Sequence, residues 1–185
     1  MRFVLNACRI AAIALAALAC SCTSVPLSTI VRGTSFNEST LGFVDARALR
    51  VKVSLPEGFV LDAETTRLNA SVSSSGDPRR LELKLDPLTT LGGTRGGGMW
   101  SKEIAVTSFE MDLTDESVAE LRAVQGLVAT GKAKSVQLDV QVKLKSFPAG
   151  ATSAKVWVEL MLSPIEGYFP LIDGGTIPLG NATGS

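Results

Sequence analysis

What most constrains this chain is a two-residue alternation of apolar and polar side chains that recurs along most of its length. Leu49, Val51, Val53 and Leu55 alternate with Arg50, Lys52 and Ser54. Leu68, Ala70 and Val72 alternate with Arg67, Asn69 and Ser71, and Leu81, Leu83 and Leu85 with Arg80, Glu82 and Lys84. Val136, Leu138, Val140, Val142 and Leu144 form the longest run, and Val156, Val158, Leu160 and Leu162 the last. Successive side chains of a strand point to opposite faces, so each run predicts a strand with one dry face and one wet face. Parallel sheets are covered on both sides and read as continuous apolar runs; alternation therefore points to antiparallel pairing. Turn residues separate the runs at Pro56-Glu57-Gly58 and Gly76-Asp77-Pro78, and Pro87 is expected to stop the third.

Two runs depart from the simple pattern. Between residues 104 and 113 the apolar set is Ile104 and Val106, then Phe109, Met111 and Leu113. That change of parity near Thr107-Ser108 predicts a bulge or a bend between sheets. On the wet side of the last run stand Trp157 and Met161, beside Lys155 and Glu159. Either a helix covers them, the preferred reading, or they are exposed and mark a contact surface. Tyr168-Phe169-Pro170-Leu171-Ile172 reads as a final edge strand or a packed loop, and residues 173–185 as a frayed tail.

One helix interrupts the strands. Thr114 is a good N-cap, Asp115 and Glu116 suit the positive end of a helix dipole, and Gly131 with Lys132 suits the other end. Val118, Leu121, Val124 and Val128 form its apolar stripe, while Gly126 weakens its middle by ~1 kcal/mol relative to alanine. Strands lie ~4.8 Å apart and a helix is ~10 Å across, so six or so strands are wider than one helix covers. The sheet must fold over itself. The expected fold is mainly β (α+β): an antiparallel sandwich or half-barrel of about six to eight strands, with one helix near 114–131.

Composition removes whole classes of chemistry. Lysines and arginines balance aspartates and glutamates at 18 each, so nothing in the charge favours nucleic acid. The chain has no histidine, which excludes Ser-His-Asp and Cys-His triads, HExxH zinc sites and histidine proton shuttles. No cysteine follows position 22, so the domain has neither disulfides nor thiolate metal sites. No cofactor and no catalytic activity are expected.

The first 23 residues read MRFVLNACRIAAIALAALACSCT, with Arg2 and Arg9 ahead of an apolar run at 10–19 and two cysteines after it. The run is too short to span a bilayer, which takes about 20 residues, and has the make-up of a secretory signal. The exits Leu18-Ala19-Cys20 and Cys20-Ser21-Cys22 resemble the lipobox of bacterial lipoproteins. The resemblance covers the leader alone. It implies cleavage of the leader and acylation of Cys20, with Cys22 as the alternative; choosing Cys22 would remove Cys8 and Cys20 together. In Gram-negative members an aspartate after the lipidated cysteine retains the protein at the inner membrane. Ser21 and Thr23 are not aspartate, so the resemblance implies the periplasmic face of the outer membrane. The other reading of the leader is an ordinary signal that releases a soluble periplasmic protein.

The expected organisation is a leader at 1–21, a flexible tether at 22–40, one β-rich domain at 41–172 and the tail. Within the domain, LGGTRGGGMW at 91–100 could cradle phosphate through its glycines and Arg95, but it lacks the P-loop spacing. It reads as a loop between strands, and as a partner-binding lip with Arg95, Met99 and Trp100, joined by Trp157, as contact residues. Glu110, Asp112, Asp115 and Glu116 have no EF-hand spacing and suit a cap and a wet strand face better than Ca²⁺. Cross-strand carboxylate pairs are invisible in a sequence, and nothing selects one. The expected function is a lipid-anchored, non-catalytic module that binds an envelope protein. The alternatives are a carrier of lipid or another apolar ligand, recognisable by a dry interior cavity, and an inhibitor of an envelope-directed hydrolase.

Overall fold

The computed structural model describes residues 44–74, 79–96 and 102–179, together with the backbone of 26–27 and 35–36. The alternating runs form strands: β3 (Arg50–Pro56), β5 (Arg67–Ser74), β6 (Arg79–Arg95), β7 (Ile104–Leu113), β8 (Ala133–Ser146), β9 (Ser153–Met161) and β10 (Tyr168–Pro178). Short pieces add β1 (Pro26–Leu27), β2 (Ser35–Phe36) and β4 (Val60–Leu61), with a 3-10 turn at Ala63–Thr65. The main path is β1-β8-β5-β6-β7-β3-β9-β10, and every pair in it is antiparallel. The protein is therefore mainly β, an open antiparallel sheet with one helix among the described residues, α1 (Asp115–Ala129).

β6 joins the two halves of the sheet. Its first part, to Lys84, pairs with β5, whereas from Leu85 onward it pairs with β7. The offset curls the sheet, and α1 lies in the concavity. Leu121 of α1 shares one core with Leu49, Val51, Val53, Leu68, Leu83, Met111, Leu138 and Leu160. Those residues are the dry sides of the alternating runs, so the periodicity alone places the core.

The helix starts where β6 changes partner. The backbone N–H of Lys84 donates to Ser117 Oγ at 2.7 Å, and the N–H of Thr114 donates to the Lys84 carbonyl at 3.3 Å. Thr114 caps the helix, its side-chain oxygen accepting from the N–H of Ser117 at 3.2 Å. Gly131, at φ +69°, ends it in the left-handed conformation that glycine tolerates.

Several expectations change. Pro87 does not stop a strand: β6 passes through it with a register shift between Pro87 and Thr89, the kind of irregularity that accommodates a residue lacking an N–H donor. Residues 91–95 are consequently strand rather than loop. The bulge expected at Thr107-Ser108 is absent, since β7 keeps unbroken register with β3 there. Val106 instead lies buried at 2% exposure outside the main core. At the other end β10 continues through Pro178, and Ile177 and Leu179 are core residues, so 173–179 is no frayed tail. Gly174 makes this possible with φ +70°; a Cβ there would sit 3.2 Å from Trp157 Nε1. Within the expected tether, β1 and β2 both pair with β8.

Candidate functional site

The convex side of β7, β3, β9 and β10 carries a half-buried charged cluster. Lys52 on β3 lies in register with Glu110 on β7 and Glu159 on β9. Its Nζ is 3.0 Å from Glu159 Oε2 and 3.9 Å from the centre of the Tyr168 ring. Arg95, at the end of β6, reaches the same Glu159 carboxylate and donates to Ser54 Oγ at 3.3 Å. The hydroxyls of Ser54 and Ser108 hydrogen-bond at 2.7 Å. Under and beside these groups lie Val106, Trp157 and Met161, buried but separate from the main core. The arrangement is a small second core with a charged lid.

Its electrostatics follow from packing. Burial pushes the Glu159 carboxyl up, but hydrogen bonds and charge from Arg95 and Lys52 outweigh it and hold the group below the usual carboxylate range. Burial is also the first cause at Tyr168, whose pKa is pushed up to about 12, with the negative charge of Glu110 adding to it. The Tyr168 hydroxyl and Arg50 Nε are buried without a hydrogen bond of ordinary geometry. An ionised carboxylate held by two cations is a poor general base, and Ser54 hydrogen-bonds a hydroxyl and a guanidinium, neither of which is a general base. The contacts of Lys52, Arg95 and Glu159 tie β6, β3, β9 and β10 to one another.

Of the contact residues singled out in the sequence, Arg95 and Trp157 come together in this cluster, since Arg95 donates to Ser54 and Ser54 stands in register with Trp157. Arg95 belongs to the lid, with its charge engaged. Trp157 is 5% exposed and Met161 9%, so both are covered, but not by the helix as expected: α1 packs on the main core, to which neither residue belongs, and the local cover at Trp157 is Gly174, with Lys155 Nζ 5.7 Å from the ring centre. Trp157 thus offers little surface to a partner. Met99, Trp100, Cys20 and Cys22 lie outside the described residues. The four acidic residues separate: Glu110 and Asp112 face Lys52 and Arg50 in the ladder, Asp115 is 3.4 Å from Arg47, and Glu116 is 2.9 Å from Lys84. Among the described residues no group of three or more acidic or thiol side chains is placed to hold a metal.

Sequence reasoning missed Glu159, Lys52 and Tyr168 as a unit. The one available signal was the pair of large apolar residues on the wet side of β9, which demands a cover. Two open clefts flank the Pro87 corner. One of about 340 Å³ is lined by Leu61, Ala63, Glu64, Pro87, Leu144 and Lys145 among others, and one of about 220 Å³ shares Glu64 and Pro87 with it. Comparison with protein-family models, curated proteins and solved structures finds no match.

Proposed function

We propose that the protein is a lipid-anchored, non-catalytic module of the cell envelope that acts by protein contact on the periplasmic side of the outer membrane. The lipobox-like exit of the leader, with Cys20 and Cys22, carries this reading. A domain without histidine, whose half-buried carboxylate Glu159 is neutralised by Lys52 and Arg95, is consistent with it. The filling of the concave side by α1 favours contact over carriage of an apolar ligand. The intact mass of protein extracted from membranes tests the reading. The expected species has lost the leader and gained acyl chains on Cys20 or Cys22; a chain that keeps Met1 and carries no acyl group overturns it.

A further inference from the structure

Sheet edges are hazards that proteins usually guard with charges, prolines, bulges or covering segments. On this sheet the guards are uneven. β10 carries Pro170, Pro178 and two register shifts, and the outer side of β8 is partly paired with β1 and β2. The second half of β6 is different. β5 leaves it after Lys84, and beyond the Pro87 corner nothing among the described residues pairs with its other side. From Leu88 to Thr94 the strand is exposed, with Leu88 at 46% and Leu91 at 52%. No residue in that stretch is charged, in a chain of which 19% is Asp, Glu, Lys or Arg.

We infer that this edge pairs antiparallel with the same edge of a second copy, joining two sheets across a two-fold axis at Thr90. An isologous contact sets each residue against its own surroundings, so an uncharged stretch suits it and a charged one would repel itself. With Thr90 on the axis, Thr89 stands opposite Leu91 of the other copy, and Leu88 opposite its Gly92. A Cβ at Gly92 or Gly93 would meet nothing within 4 Å, so the space needed for the opposing leucine is open. Pairing also satisfies the outward N–H and C=O groups of alternate residues and shields two exposed leucines. The inference rests on the fold and not on the lipid anchor, so acylated and unacylated protein should behave alike.

The test is sedimentation of the full chain in detergent over a range of concentrations, with hydrogen exchange of the same samples. A dimer should form, and alternate amides between 88 and 94 should gain protection as concentration rises, while those of β9 stay unchanged. Thr90→Lys, an exposed substitution that sets one ammonium against its own copy, should weaken dimerisation about tenfold or more at an unchanged melting temperature. A chain monomeric throughout overturns the inference, as does a dimer that survives the substitution or leaves 88–94 unprotected. Should Thr90→Lys unfold, the exchange pattern of the unsubstituted chain decides alone.

Discussion

Tyr168 is the only tyrosine of the chain, which makes the convex cluster directly measurable. Its hydroxyl is buried near the Glu110 carboxylate with Lys52 over the ring, and ionising it would add a negative charge to those of Glu110 and Glu159 in a desolvated site. An ultraviolet titration should therefore show phenolate with a midpoint of about 12, against the ordinary value of 10.0. The sign for stability follows. A raised pKa in the folded state favours the protonated form, so the contribution is complete below 10 and is lost as pH rises through about 12. A midpoint near 10 in protein still folded by circular dichroism would show that the ring stands free. None of this was legible residue by residue. Arg95 and Glu159 lie on strands far apart in sequence, and only the pairing β7-β3-β9 brings Glu110, Lys52 and Glu159 into one row. Alternation says which side of a strand is wet, not which wet residues become neighbours.

Among the elements, α1 and β6 show both what local sequence specifies and where it stops. Helix ends are written in short-range chemistry, and Thr114 and Gly131 mark them in the structure as they do in the sequence. Pro87 is local chemistry too, yet it misleads, because a strand keeps going when β7 offers a ladder on its other side and a register shift absorbs the proline. The joint between these elements is Ser117, 1% exposed, whose Oγ accepts from both the Lys84 N–H and the Thr114 hydroxyl. Ser117→Ala leaves the Lys84 N–H without its acceptor at the point where β6 changes partner. Its expected cost is about 1–3 kcal/mol, the range for a buried donor stripped of its partner. Denaturant unfolding should show this as a lower midpoint at an unchanged slope. A midpoint equal to that of the unsubstituted chain would mean that water replaces the hydroxyl and that the joint is not structural.

On the scale of the whole molecule, the curled sheet and its core were legible because the dry sides of all the runs must meet, and one helix is too narrow to cover them flat. The boundaries were not. Residues 173–179 look like an ending, with two glycines and small polar neighbours, but the glycines are what lets β10 bend over Trp157 and return to its ladder. Beyond Gly174 the strand pairs from Gly175 to Pro178 with Val156 to Ser153, and the N–H of Leu179 donates to the Thr152 carbonyl at 2.9 Å. Ile177 and Leu179 enter the same core as Leu121, and Gly174 lies against Trp157. Removing residues 173–185 should therefore act as the loss of half a strand rather than of a tail. Two buried aliphatic side chains are worth roughly 1.5–3 kcal/mol each, so the shortened chain should lose roughly 3–6 kcal/mol. Domains are commonly stable by about 5–15 kcal/mol, so the loss is large enough to bring this one near the point of unfolding. Equilibrium denaturation of the two lengths side by side measures it. Equal midpoints would return the strand boundary to Ile172 and leave Trp157 without the cover that the fold assigns to it.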